Sequence, residues 1–284
     1  MSRNGQSGLA PRAIPALTTL PRPLFARVES LKTGTTTEWH SHPWAQLTYA
    51  IRGVLSVHTE TGRFLAPPQR AILIPPELPH AVISSPATEM RSLYLDALAI
   101  PWAPAHCKVL EITPLTRELI SHFGQIPAEY DEQGPHGRIA GVLLDQLQVA
   151  PETRLYLPWP ADRQLQRVCE ALYAAPDLPH TLGEWSATVG LSEKTLTRRF
   201  LQETGFSFRA WRQRLRLLSA LPLLEQRQRI TDVALACGYD STSAFIAAFR
   251  KQTGLTPGEF LGTDLANPPR PAFALGAEKG SASD

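Results

Sequence analysis

Leu182-Gly183-Glu184-Trp185-Ser186-Ala187-Thr188-Val189-Gly190-Leu191-Ser192-Glu193-Lys194-Thr195-Leu196-Thr197-Arg198-Arg199-Phe200 is followed, further along the chain, by a second version of the same pattern. That version reads Ile230-Thr231-Asp232-Val233-Ala234-Leu235-Ala236-Cys237-Gly238-Tyr239-Asp240-Ser241-Thr242-Ser243-Ala244-Phe245-Ile246-Ala247-Ala248-Phe249-Arg250. In the first copy Trp185 and Val189 fall at i and i+4 on one helical face. Gly190 admits a left-handed turn, and Ser192 can cap the next helix by accepting a bond from an orphan amide. Leu196 and Phe200 repeat the i, i+4 spacing, so this second helix has one apolar side and turns Glu193, Lys194, Thr197 and Arg198 outward. In the second copy Val233 and Cys237 match Trp185 and Val189, Gly238 matches Gly190, and Phe245 and Phe249 match Leu196 and Phe200. A helix, a glycine turn and a capped helix, written twice with the same polarity, predict a tandem helix-turn-helix, a layout that points to DNA.

The connection between the copies supports this. Phe208, Trp211, Leu215 and Leu218 form one stripe and Arg209, Arg212 and Arg216 another. An amphipathic helix so divided can pack between the two units and offer arginines to phosphates.

From about Leu182 to Phe260 the sequence resembles the AraC/XylS family of transcriptional regulators. The most specific parts are Gly205, the Arg214 to Leu221 helix, Ala234 to Tyr239, Ser243-Ala244-Phe245, Phe249-Arg250 and Gly254-Leu255-Thr256-Pro257. The resemblance implies two helix-turn-helix subdomains joined by one long helix, with both recognition helices entering successive major-groove segments. Lys194, Thr197 and Arg198 occupy the positions that the family uses to reach base edges, and Ser192 or Thr195 can bond phosphate. Arg198 suits guanine O6 and N7. Arg199, one residue on, is expected at the DNA backbone, as is Arg212. In the second unit Ser241, Thr242 and Ser243 face outward with Ile246 and Ala247. Ala247 stands where a long polar reader belongs, so this helix is expected to give phosphate contacts and shape readout, with Arg250 on the backbone.

Composition is consistent with two domains. The chain has 284 residues and a formal net charge of +2. Residues 160–260 hold 13 Lys/Arg and 10 Asp/Glu, whereas residues 1–159 hold 13 of each; the excess is modest, so the position of each charge matters more than the sum. Three scattered cysteines, Cys107, Cys169 and Cys237, argue for buried thiols in a reducing compartment. No stretch approaches the ~18 apolar residues of a membrane span and the N-terminus lacks an apolar signal core, so the expected location is the cytoplasm, with no membrane partner.

Residues 1–23 and 264–284, rich in Ser, Gly, Pro and Ala, are expected to be disordered. Residues 24–110 have a different texture. Runs such as Gln46 to Arg52, Leu55 to Thr59, Arg70 to Ile74, His80 to Ser84 and Met90 to Asp96 are β-prone and punctuated by Gly and Pro. They predict a small all-β barrel of jelly-roll form. Within it His40-Ser41-His42, Gln46 and His80 form a second chemical signal. On a strand, residues i and i+2 point to one side, so His40 and His42 can converge. Two imidazoles, an amide oxygen and a third imidazole are plausible ligands for Zn, Ni, Fe or Mn.

The spacing Gly34, five residues, His40-x-His42, three residues, Gln46, six residues, Gly53, with Pro75-x-Glu77-x-x-His80 after it, resembles the cupin motif. Gln46 replaces the usual acidic ligand, Glu77 replaces a glycine, and Ser84 stands where Asn is common. The barrel mouth at His40, His42, Gln46 and His80 is therefore the candidate site for a divalent metal or for a polar effector contacted by neutral histidines. Trp39, Trp44, Tyr49 and Tyr94 are candidate apolar walls.

Residues 111–153 contain two helical stretches, about Pro114 to Gln125 and Gly137 to Val149. They either cap the barrel or, as the resemblance implies, pair two subunits into a homodimer aligned on repeated half-sites. Residues 154–160, ending in Pro158-Trp159-Pro160, are the expected linker, and residues 161–263 the DNA-binding domain.

The fold class expected is α+β in two domains: an N-terminal all-β cupin barrel followed by two helices, then an all-α tandem helix-turn-helix. Its expected function is regulation of promoters in response to a small molecule or metal, with double-stranded DNA, the effector and RNA polymerase as partners. Two rival readings are a metal-dependent cupin enzyme with a DNA-binding appendage, for which Glu38 or Glu77 would serve as acid or base, and a constitutive DNA binder whose barrel only dimerises.

Overall fold

Two six-stranded sheets and nine helices account for residues 9–262, the part of the chain described by the computed structural model. The strands are β1 (Ala10–Pro11), β2 (Leu24–Leu31), β3 (Thr35–Thr36), β4 (Ala45–Arg52), β5 (Leu55–His58), β6 (Gly62–Ala66), β7 (Arg70–Ile74), β8 (Ala81–Ser84), β9 (Thr88–Leu95), β10 (Lys108–Glu111), β11 (Glu152–Thr153) and β12 (Tyr156–Pro158). One sheet has the order β1-β3-β8-β5-β6-β12 and the other β11-β10-β7-β4-β9-β2. Leu55, Val57, Phe64 and Val82 of the first meet Ala50, Ile72, Ile74, Met90 and Val109 of the second in one core.

The second sheet is buried on both faces. Alternate residues of its central strands, among them Leu47, Tyr49, Leu73, Leu93 and Leu95, form a separate core with α1 (Pro114–Phe123) and α2 (Pro135–Gln148), through Ile120, Phe123, Ala140, Leu143 and Leu147. Strand β4 therefore reads as an almost unbroken buried run, and its period-2 alternation is hidden. The alternation still sorts functions: Leu47 and Tyr49 face the helices, so Tyr49 is not a wall of the barrel mouth, while Gln46 takes the opposite face. On the far side of the helix pair Leu115 and Val142 stay exposed.

Two expectations are corrected here. Residues 1–8 lie outside the described part of the chain, but residues 9–23 are held: β1 runs parallel to β3, and Arg12 forms a buried ion pair with Glu29 at 2.9 Å. A two-residue ladder and one buried guanidinium carry no hydrophobic period, so composition alone read them as disorder. Residues 154–160, the expected linker, are not free either: Tyr156–Pro158 form β12, and Glu152–Thr153 just before them form β11. β11 pairs with β10 and β12 with β6, so the segment edges both sheets. Residues 264–284 lie outside the described residues.

The C-terminal domain contains α3 (Arg163–Ala174), α4 (Leu182–Val189), α5 (Glu193–Thr204), α6 (Phe208–Glu225), α7 (Ile230–Ala236), α8 (Thr242–Thr253) and α9 (Pro257–Gly262). Both glycine turns form as expected, with Gly190 at φ 69° and Gly238 at φ 76°. Ser192, Ser207 and Ser241 cap α5, α6 and α8 through their hydroxyls, each worth about 1 kcal/mol. Thr181 and Glu184 close a capping box on α4, which the sequence reading missed. Trp211 of α6 is fully buried between Phe200 and Trp159, and its indole Nε1–H donates to the Pro158 carbonyl at 2.7 Å.

The two domains share a core at this point. Val54, Leu65, Leu157 and Trp159 pack with the helical residues. Arg63 lies 4.0 Å over the Trp159 ring, His58 Nε2 meets the Tyr173 hydroxyl at 3.1 Å, and the Gly53 amide donates to Glu225 at 3.1 Å. Arg214 donates to the Tyr156 carbonyl at 2.6 Å and also to that of Arg154, tying the long helix to the strand β12 segment.

Candidate functional site

His40, His42 and His80 converge. One ring nitrogen from each lies within 4.8 Å of the others, and no carboxylate belongs to the group. The elements that bring them together differ from the strand geometry expected. His40 forms an isolated antiparallel bridge with His80, through reciprocal backbone bonds of 3.0 and 2.9 Å, and His42 sits in the turn before β4. Gln46, one turn of chain later on β4, is buried, as are His42 and His80, while His40 is only partly covered.

The hydrogen bonds fix the tautomers. His40 Nδ1 meets the Glu38 carbonyl at 2.9 Å, His42 Nδ1 the Trp44 carbonyl at 2.8 Å, and His80 Nδ1 the Leu78 carbonyl at 2.8 Å. A carbonyl only accepts, so each Nδ1 carries the proton, and a neutral ring then keeps a lone pair on Nε2. Burial holds the His40 imidazole below its ordinary range and brings that of His80 down to about 4, which keeps both rings neutral at pH 7. Second-sphere carbonyls that anchor Nδ1–H and leave Nε2 free are the support that metal-bound histidines have in general.

Two contacts are unsatisfied without a cation. His80 Nε2 is buried with no hydrogen-bond partner, and His42 Nε2 stands 3.0 Å from Gln46 Oε1, two acceptors facing one another. Gln46 Nε2 donates to the Ser92 hydroxyl at 3.4 Å, which turns Oε1 toward His42. The arrangement has the donor types of a divalent site for Zn, Ni or Fe, three imidazoles and one amide oxygen. Trp44 stacks on His42 with ring centroids 5.2 Å apart, and Tyr94 stands edge-on to it at 6.2 Å, so these two aromatics do wall the site, while Trp39 is exposed. Glu38 and Glu77 are both exposed. Sequence reading missed Arg12 altogether: its side chain is 9% exposed, its Nη1 donates to Glu29, and its Nε has no partner. Nothing in the local sequence signals this, because the partner lies seventeen residues away on another strand.

The second candidate surface is the exposed side of α5 and α8. Lys194, Thr197 and Arg198 are exposed on α5, and Ser241, Ser243 and Arg250 on α8, with Thr242 partly covered. The hydroxyls of Ser192 and Ser241 accept the Thr195 and Ala244 amides, and Thr195 bonds Ser192 at 2.9 Å, so each sits at a helix N-terminus where amides are presented to an anion. Two expected members are committed elsewhere. Arg199 donates to Asp162 at 3.0 Å and to Gln164 at 3.3 Å, and Arg212 donates to the carbonyls of His180, at 2.7 Å, and Leu178. Both arginines brace the helical domain in this structure, which contains no DNA. Arg216 is likewise held, by the Pro176 carbonyl, and Arg209 is exposed. The three cysteines are buried; burial alone pushes the Cys107 thiol up to about 12, and burial, opposed by Arg216 and aided by Asp177, does the same for Cys237, which disfavours the reactive thiolate. Among the described residues no helix is long and apolar enough to cross a membrane.

Comparison with known proteins covers both parts of the chain. A helix-turn-helix domain model matches residues 185–263, and a model of the AraC-like ligand binding domain matches residues 22–147. The HTH-type transcriptional regulator NimR of Escherichia coli (strain K12) is 34% identical over 222 residues, 78% of this chain and 81% of the relative. The HTH-type transcriptional regulator RipA of Corynebacterium glutamicum is 39% identical over 127 residues, 43% of this chain and 38% of the relative. Among solved structures, ToxT of Vibrio cholerae O395 aligns over 84% of this chain and 97% of its own, with 11% identity and a TM-score of 0.37.

Proposed function

This chain belongs to the AraC/XylS family of transcriptional regulators, and from that premise we propose which residues read DNA and what the barrel holds. A regulator of this family binds DNA through its helix-turn-helix units and a small-molecule effector through its N-terminal domain; it is not an enzyme. Lys194, Thr197 and Arg198 read base edges from α5. Ser192, Thr195, Ser241, Thr242, Ser243 and Arg250 hold phosphates, with α8 supplying orientation more than base choice. The protein acts in the cytoplasm as a homodimer and works on RNA polymerase at its promoters. The exposed Leu115 and Val142 on α1 and α2 support pairing through the helix pair.

In the barrel, a divalent metal ion is held by Nε2 of His40, His42 and His80 and by Gln46 Oε1, and the effector meets the protein there. The observation that carries this is the common hydrogen bonding of the three rings. Each gives its Nδ1–H away to a backbone carbonyl, which leaves a lone pair on each Nε2, that of His80 without any partner, and one ring nitrogen from each lies within 4.8 Å of the others. A ligand bound there regulates only if it prefers one arrangement of the two domains over another.

Elemental analysis of the purified protein beside a His40→Ala/His42→Ala variant tests the site, with each protein then titrated onto duplex selected from a random pool. Stoichiometric metal in the wild type, lost in the variant, with a changed DNA response is the expected result. A metal-free wild type that binds the selected duplex as tightly as before would refute the metal and leave the DNA assignment standing.

A further inference from the structure

Granting the metal ion proposed above, charge decides what joins it. All four of its protein donors are neutral: three imidazoles whose Nδ1 protons are committed to carbonyls, and the Gln46 amide oxygen. A carboxylate in the position of Gln46 would cancel one of the two charges of a divalent ion; an amide cancels none. The surroundings add more of the same sign. Arg12, nearly buried, and Arg27 share the single carboxylate of Glu29, each at 2.9 Å, so two guanidiniums face one anion. Of the permanently charged groups, Arg12 acts on both His40 and His80, and no carboxylate does. Arg12 Nε is buried without a partner, a donor left over after Glu29 is satisfied. The charge of Arg12 is met by Glu29, but a buried N–H donor without an acceptor is costly and calls for an oxygen beside it. Access exists from the side where His40 is partly covered and Trp39 is 53% exposed.

We infer that the barrel is an anion receptor: its effector is a small molecule with an anionic oxygen donor, a carboxylate, which balances the metal ion on the neutral ligand set and accepts from the unpartnered Nε of Arg12. Neutral polyols leave the charge of the metal ion uncompensated and are excluded as the primary effector class. Gln46 is then a specificity-determining residue, since its neutrality is what reserves the charge for the ligand.

Cobalt(II) serves as the probe metal, because its visible absorption reports both uptake and the arrival of a further ligand. The full chain is loaded with cobalt(II) and titrated with acetate, with acetamide as the uncharged isostere, and with inorganic phosphate. Acetate is expected to shift the bands saturably and acetamide to leave them unchanged at equal concentration. Gln46→Glu is expected to hold cobalt(II) more tightly and acetate about tenfold or more weakly, because it places a negative charge beside the incoming one. Arg12→Gln is expected to weaken acetate severalfold with cobalt(II) affinity unchanged. Thermal unfolding establishes that each variant is folded, and Arg12→Gln decides the question if Gln46→Glu does not fold.

An equal response to acetate and acetamide, or unaltered acetate affinity in both variants, overturns the anion receptor while leaving the metal site intact. A response to phosphate without one to acetate overturns the carboxylate assignment. Absence of cobalt(II) uptake by the wild type, or uptake undiminished in His80→Ala, overturns the metal reading itself and the receptor with it.

Discussion

Arg198 and Arg199 are neighbours in the chain with opposite commitments, and replacing each by alanine separates reading from bracing. Arg198 is exposed on α5 and makes no side-chain hydrogen bond or ion pair among the described residues. Its removal should change folding stability by no more than about 0.5 kcal/mol. If it forms a bidentate pair with guanine, its loss removes about 1–3 kcal/mol of discrimination, roughly 5- to 150-fold in affinity for the selected duplex. A scrambled duplex should lose only the long-range attraction of one charge.

Arg199 inverts this. It holds Asp162, whose carboxylate also accepts the Gln164 and Leu165 amides at the start of α3, and the ion pair is partly exposed at 38% and 19%. Solvent screening limits its worth to about 1 kcal/mol or less, which should appear as a lowered melting temperature with sequence preference retained. Fluorescence anisotropy on selected and scrambled duplexes at one fixed salt concentration, beside thermal unfolding, reads both effects. Equal losses on the two duplexes for Arg198→Ala would refute the base contact. Relaxed sequence choice in Arg199→Ala would refute the bracing role.

Two further outcomes concern stability. Burial brings the His58 imidazole at the domain junction down to about 3, so the unfolded chain binds its proton first and stability is lost as pH falls from roughly 6.5 toward 3. His58→Gln should flatten that acid limb in denaturant titrations at several pH values, and an unchanged slope would show that His58 does not carry it. Gly190 and Gly238 both have positive φ, yet a Cβ at Gly190 meets open space, whereas one at Gly238 lies 2.8 Å from the Asp177 Cα and 2.8 Å from Arg216. Gly190→Ala should cost about 1–2 kcal/mol of backbone strain and Gly238→Ala measurably more, and equal losses would contradict the close approach.

The tandem helical units were legible because their signals are local. Glycine, capping serine and apolar i, i+4 pairs lie within single turns, and the predicted Gly190–Ser192 and Gly238–Ser241 junctions form. Much of the barrel was less so. Strand β4 is buried on both faces, β12 contains Pro158, and β1 is two residues long, so none shows the alternation that marks a half-buried strand. The meeting of His40, His42, Gln46 and His80 followed from spacing, but their tautomers did not, because carbonyls two residues away set them through backbone turns. The fates of Arg12, Arg199 and Arg212 depend on partners far along the chain, and side-chain type could not reveal them.

The strand β12 edge has a consequence for anyone who would exchange the reading or sensing half of this regulator. A cut after Pro160 discards Leu157 and Trp159 from the helical domain and strips Trp211 of its acceptor at Pro158. A cut before Glu152 keeps those side chains but leaves β10 and β6 each with a bare edge. The fusion point that composition marks as a hinge is thus structural masonry, and working chimaeras should carry residues 152–160 together with the loops of the barrel they grip.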